Sequence, residues 1–255
     1  MLEIRVIPCL LLRNRALVKT IGFKNSKYIG DPINTVRIYN EEEVDELIFL
    51  DIGATSTRKG PQFDLVEEIA SECFMPFTYG GGIRSLDEIA RLLSLGVEKV
   101  AINSSAYENP GLVRQAADRF GSQSVVVSID VRKSLFGKYE VCTQGGTFRT
   151  GLEPVKYAID MVEAGVGELL LTSIDRDGTM RGYDTELIRR VSDAVDVPVV
   201  ACGGAGAISD LARAVKQGGA SAVAAGSMVI YQGINRSVLI NFPSRADLRT
   251  ALAST

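Results

Sequence analysis

Short apolar runs alternate with amphipathic stretches from one end of this chain to the other. The runs at 4–10, 46–51, 75–79, 98–102, 124–130, 168–173, 198–202 and 221–225 are compact and rich in β-branched or aliphatic residues. That is the pattern of strands covered on both faces. Between them, helical periodicity is predicted near 33–44, 62–73, 84–95, 109–119, 154–165, 184–195, 208–218 and 244–252. Ser85 before Leu86–Asp87–Glu88 and Asp184 before Thr185–Glu186 read as N-caps. Eight strands alternating with eight helices predict a single (β/α)8 TIM barrel over residues 1–255, with a doubly wound sheet as the competing architecture. Two connections are long, 12–32 after the first strand and 131–152 after the fifth. The second is expected to hold a hairpin, Lys138–Cys142 against Gly145–Arg149. Both lie at strand C-terminal ends, where barrels build their sites.

The chain also repeats itself by halves, which favours a closed barrel. Thr78–Tyr79–Gly80–Gly81–Gly82 is answered by Ala201–Cys202–Gly203–Gly204–Ala205–Gly206. Phe49–Leu50–Asp51 is answered by Ser173–Ile174–Asp175, and Asn103–Ser104 by Gly226–Ser227. Glycine admits close approach of the backbone to an oxyanion, and a following helix N-terminus adds positive potential. Two anion pockets are therefore expected on one rim, one from Gly81, Gly82, Asn103 and Ser104, the other from Gly204, Gly206, Gly226 and Ser227. A ligand with a phosphate at each end would suit them. The alternative is a pair of tight turns.

Composition narrows the chemistry. There is no histidine, which removes imidazole acid–base work, Ser–His–Asp catalysis and imidazole metal ligation. A net charge of −3 gives no general attraction to nucleic acid or an anionic membrane. No apolar run is long enough to span a bilayer, and Met1–Arg5 lacks a signal-peptide pattern, so a cytoplasmic location is expected. Cys9, Cys73, Cys142 and Cys202 have no metal-ligand spacing, and Cys9 and Cys202 read as reduced core thiols. No cofactor and no metal is expected. Asp51, Asp130, Asp175 and Asp177 fall at or just beyond strand C-terminal ends, and like charges converging there repel unless used. Asp130 is the best acid–base candidate. Lys19 either covers an anionic substrate or is a solvated lysine. At the opposite ends of the strands, Arg5, Glu46, Lys99 and Glu168 suggest an ion-pair ring closing the barrel floor.

With these residues in view, the chain resembles the cyclase subunit of imidazole glycerol phosphate synthase over essentially its whole length. The motifs include Gly30–Asp31–Pro32, Phe49–Leu50–Asp51–Ile52, Gly80–Gly81–Gly82–Ile83, Phe120–Gly121–Ser122–Gln123, Ser173–Ile174–Asp175–Arg176–Asp177–Gly178–Thr179 and Gly203–Gly204–Ala205–Gly206. The resemblance implies a barrel whose rim binds a ribonucleotide with two phosphates. It also implies a glutaminase subunit docked on the opposite face, ammonia travelling through the barrel, and Arg5, Glu46, Lys99 and Glu168 as the gate at the ammonia entrance. The family's cyclase chemistry uses two aspartates. Asp130 matches one; the other falls on Leu11, and Pro8–Cys9–Leu10–Leu11–Leu12 offers no carboxylate instead. Leucine transfers no proton, and such catalysis is worth about 10²–10⁴-fold. Ile7–Leu12 and Ala70–Pro76 are similar to a paralogous branch linked to acetamidino modification of surface-polysaccharide sugars, which implies ammonia delivery to a sugar amidotransferase. Three readings stand: an ammonia-handling barrel serving sugar amidine formation, the ordinary histidine-pathway cyclase, or a non-catalytic ammonia-conducting scaffold.

Overall fold

Eight parallel strands close on themselves in a computed structural model that describes residues 4–54, 59–134, 136–233 and 235–253. They are β1 (Arg5–Arg13), β2 (Leu47–Asp51), β3 (Phe77–Gly80), β4 (Lys99–Ile102), β5 (Val125–Lys133), β6 (Glu168–Ser173), β7 (Val199–Cys202) and β8 (Ala222–Ala225). Each pairs in parallel with the next, and β8 returns to β1 with Arg5 opposite Ala222, so the ring has no open edge. The (β/α)8 barrel is therefore the architecture, and the doubly wound alternative falls. The outer ring comprises α1 (Pro32–Glu41), α2 (Phe63–Glu72), α3 (Leu86–Ser94), α4 (Pro110–Phe120), α5 (Pro154–Glu163), α6 (Thr185–Ser192), α7 (Ile208–Lys216) and α8 (Arg245–Leu252).

Local chemistry sets the helix starts. Asp31 accepts the Asn34 amide ahead of Pro32, Ser85 and Glu88 form a reciprocal capping box, and Asp184 accepts the Leu187 amide. Strand alternation then sorts two apolar layers. Val6, Leu10, Leu12, Phe49, Tyr79, Val127 and Leu169 face the helices. Ile7, Cys9, Ile48, Ala101, Val126, Leu170, Val200, Ala222 and Ala224 fill the barrel interior. No helix among the described residues is long and apolar enough to cross a membrane.

The structure corrects the long connections. Residues 12–32 are no open loop: β1 runs on to Arg13 and a hairpin of Ala16–Ile21 and Lys24–Gly30 follows it. Its second strand is polar and largely exposed, so no apolar alternation announced it. β5 likewise extends to Lys133, pairing with Tyr139–Thr143, which pairs with Phe148–Arg149. Two short helices, Ser104–Glu108 and Ser227–Ile230, follow β4 and β8.

Candidate functional site

At the strand N-terminal ends, Arg5 bonds to both Glu46 and Glu168, and Lys99 reaches Glu46 at 3.0 Å and Glu168 at 2.9 Å. Thr78 donates a further hydrogen bond to Glu46. The four side chains thus form a closed ring of alternating charge. Both carboxylates are buried, which is tolerable only because each meets two cations. Above the ring, the barrel interior is lined mainly by apolar side chains up to Cys9, Leu50 and Cys202, with the buried Ser128 among them.

At the opposite rim, Asp130 on β5 is buried. Asn103 donates to its Oδ2 at 3.3 Å and Ser128 to its Oδ1 at 3.4 Å. No cation pairs with it among the described residues. Burial pushes this carboxyl up to about 7, and the negative charge of Asp177 adds to the effect, while hydrogen bonds from Ser128 and Thr172 oppose it. Across the barrel, β1 presents Leu11, buried and continuing the inward alternation of Ile7 and Cys9. The mouth is therefore acidic on one side and aliphatic on the other.

The rim aspartates are individually hydrogen-bonded, and of the repulsion expected from the sequence the effect of Asp177 on Asp130 remains. Asp51 accepts the Gly53 and Ala54 amides and the Gln62 side chain. Asp177 accepts Lys19 at 2.9 Å and Thr20 at 2.8 Å. Asp175 is half-exposed and accepts the Lys133 amide. Each is satisfied by partners of its own, although Asp175 and Asp177 share the loop that follows β6. Nor is Asp175 the structural mate of Asp51. Gly81 crowds the Asp51 carbonyl just as Gly203 crowds that of Ser173, so Ser173 occupies the equivalent strand end.

Lys19 is no solvated surface lysine; its hairpin buries it against Asp177. Burial opposes its charge, but the adjoining carboxylate outweighs this and holds the ammonium above its ordinary range. It lies next to Gly226, where a Cβ would come within 3.3 Å of its Nζ. Cys9 and Cys202 are free thiols beside this pair, and the Cys202 thiol together with burial pushes the Cys9 thiol up.

The two glycine loops have left-handed backbone at Gly81 (φ 121°), Gly82 (φ 74°), Gly203 (φ 90°) and Gly204 (φ 113°). Beside the first, Asn103 is bonded to the Ser128 carbonyl and Asp130, and Ser104 Oγ accepts the Gln144 amide at 3.0 Å. Beside the second, Ser227 Oγ is buried and has no hydrogen-bond partner among the described residues. Gly206 needs correcting as an anion donor: its N–H points to Asp210 Oδ2 at 2.9 Å, the N-terminal bracket of α7. Gly206 is instead required by space, since a Cβ there would meet the Met180 carbonyl at 2.4 Å.

Sequence reasoning missed Ser128, Thr172, Gln144 and Arg132. Ser128 and Arg132 were within reach of it, because strand alternation places both on the face of Asp130. Among the described residues, no group of three or more Cys, Asp and Glu is arranged to hold a metal ion.

Comparison with known proteins bears on this geometry. A family model described as histidine biosynthesis protein matches residues 5–235. A provisionally named imidazole glycerol phosphate synthase subunit hisF2 of Pseudomonas aeruginosa is 52% identical over 243 residues, covering 95% of this chain and 97% of that protein. A provisionally named HisF subunit of Leptospira interrogans is 48% identical over 248 residues, covering 97% and 98%. The imidazole glycerol phosphate synthase subunit HisF of Alkaliphilus metalliredigens is 43% identical over 235 residues, covering 92% and 93%.

Proposed function

The chain belongs to the histidine biosynthesis protein family, and on that premise we propose that it is the barrel subunit of an imidazole glycerol phosphate synthase-like glutamine amidotransferase. In this reading it takes ammonia from a glutaminase subunit at the face of the Arg5–Glu46–Lys99–Glu168 ring. Ammonia is neutral and small, so the mainly apolar interior above the ring suits it better than ammonium, which would have to shed its hydration. The rim holds a phosphorylated small molecule. Its business is to supply nitrogen for an acetamidino sugar of a surface polysaccharide, through a separate sugar amidotransferase.

One observation carries the departure from histidine biosynthesis: Leu11 faces the mouth where Asp130 would need a second proton-transfer group across from it. A cyclisation that requires one group to accept a proton and another to donate one is left with Asp130 alone. The exposed surface supports a separate acceptor enzyme. Of the eight large hydrophobic side chains exposed among the described residues, Ile21, Tyr28, Phe136, Phe148, Val238 and Leu239 lie on loops following β1, β5 and β8. These are the loops of the rim. That rim is thus the face of the barrel with most of the exposed apolar side chains among the described residues, and in this reading it is where the acceptor enzyme docks.

The test is cyclisation of the phosphoribulosyl-formimino ribonucleotide with saturating free ammonium. Turnover far below about 1 s⁻¹ is expected. Turnover at that rate or above would return the chain to the histidine pathway. Lys99→Ala should alter glutamine-dependent turnover of the complex more than ammonium-dependent turnover; equal change would remove the ring from ammonia passage.

A further inference from the structure

Arg132 lies two residues beyond Asp130 on β5 and shares its inward face by strand alternation. A guanidinium carries five N–H donors, and in a folded protein those that are buried ordinarily find acceptors. Here Nε is buried and donates to nothing among the described residues. Asp175 stands 3.9 Å from it, beyond hydrogen-bond reach, and its other oxygen accepts the Lys133 amide. Directly across the antiparallel ladder from Arg132 is Glu140, the natural cross-strand partner. Glu140 is engaged elsewhere, by Arg149 at 2.9 Å and by the Gly151 amide at 2.9 Å. Two carboxylates are thus placed near this cation, and neither hydrogen-bonds it.

The hairpin tip roofs the same group. Gln144, Gly145 and Gly146 take three consecutive left-handed conformations, at φ 53°, 65° and 77°. They bring Gly146 so close that a Cβ would lie 3.6 Å from an Arg132 Nη, 3.1 Å from Phe23 and 3.2 Å from Ile174. Phe23 and Ile174 exclude water from that side, which strengthens any charge interaction made there. The hairpin is anchored to the first glycine-loop pocket through the bond from the Gln144 amide to Ser104.

We propose that Arg132 is a specificity-determining residue of the rim, binding an oxyanion that the ligand carries beside Asp130. The inference rests on the reading that the rim takes a phosphorylated small molecule, and it adds the substituent that this ligand must bear. The oxyanion is either the terminal phosphate in the first pocket or a carboxylate on the body of the ligand. A guanidinium fork pairs with both.

The experiment uses the full chain, with glycerol 3-phosphate and 3-phosphoglycerate as probes that differ by one carboxylate. Binding is measured by calorimetry at constant ionic strength for wild type, Arg132→Gln, Arg132→Lys and Ser227→Ala. Arg132→Gln should weaken binding about tenfold, the usual scale for a charge-assisted hydrogen bond, and Arg132→Lys should restore part of the loss. Equal weakening of both probes assigns Arg132 to phosphate. Weakening confined to 3-phosphoglycerate assigns it to carboxylate. If Arg132→Gln binds both probes as wild type does while Ser227→Ala does not, Arg132 has no such role and the phosphorylated-ligand reading survives. Wild type that binds neither probe overturns both. Thermal melting of each variant separates loss of binding from loss of fold.

Discussion

In the first half of the barrel Ser104 already accepts an amide hydrogen from Gln144, and Asn103 is tied to Ser128 and Asp130; in the second half the equivalent Ser227 keeps a buried hydroxyl with no partner among the described residues. The backbone frames are the same. Gly81 and Gly203 press on the preceding strand end, and Gly82 and Gly204 press on Gly60 and Gly182. What a repeat conserves is thus the close approach that only glycine permits, because a Cβ at 2–3 Å from a carbonyl cannot be absorbed. What it leaves free to diverge is the polar side chain beside that turn. The same holds for the strands that open each half, where β1 brings Leu11 to the mouth and β5 brings Asp130. The second half thus carries both the unsatisfied hydroxyl and the buried acid, while the first half has its serine engaged and a leucine at the mouth.

The sharpest way to break this asymmetry is Leu11→Asp, which gives β1 the carboxylate that β5 has. Cyclisation of the ribonucleotide with ammonium should rise by about 10²–10⁴-fold; no rise would mean that the rim no longer fits that substrate. Next comes Asp130→Asn. The folded carboxyl titrates near 7 against about 3.9 unfolded, so between those values the folded state holds more protons. Stability should therefore fall as pH climbs from 4 to 7 and stay low above it, by about 4 kcal/mol in all. Urea midpoints across that range should show this slope in wild type and lose it in the variant. A wild-type profile flat from pH 4 to 8 would contradict a neutral Asp130. Third, Glu168 is the second half's sole member of the floor ring. Glu168→Gln leaves Arg5 and Lys99 sharing Glu46 and should cost about 2 kcal/mol, less than a fully buried pair because Arg5 is 30% exposed. A melting temperature equal to wild type would make the ring dispensable to folding. The smallest effect is expected at the glycine loops: Ser227→Ala should weaken inorganic phosphate about tenfold, and Ser104→Ala far less. Reversal of that order would mean that the first pocket is the stronger anion site.

The barrel was legible because buried strands and amphipathic helices carry different periods, and Asp31, Ser85 and Asp184 mark helix starts by a local rule. The floor ring was legible too, since Arg5, Glu46, Lys99 and Glu168 stand at the starts of apolar runs, and closing a barrel brings those starts together. The rim was less so. The burial of Lys19 depends on a hairpin whose outer strand, Lys24–Gly30, is mostly exposed and gives no alternation. The mismatch between Asp51 and Asp175 arose because similar residues were aligned by type, whereas packing of Gly81 and Gly203 aligns Asp51 with Ser173. That the Gly206 amide belongs to Asp210, and that Arg132 Nε lacks an acceptor among the described residues, are facts of hydrogen-bond geometry with no signature in residue order.

The floor ring also bears on how the chain could be divided. Three of its members, Arg5, Glu46 and Lys99, come from the half that ends before β5, and only Glu168 comes from the other. Cut in the turn at Gly121–Ser124, the chain would yield one piece with surplus positive charge at its floor and another with an unpaired buried acid. Each piece would also expose two raw sheet edges. Neither should be content alone, and each carries what the other lacks. Co-expressed, they should reassemble, and salt should slow the encounter; Glu168→Gln should slow it at low salt as well. The ring would then act as a registration mark, telling two nearly interchangeable halves which way round to meet.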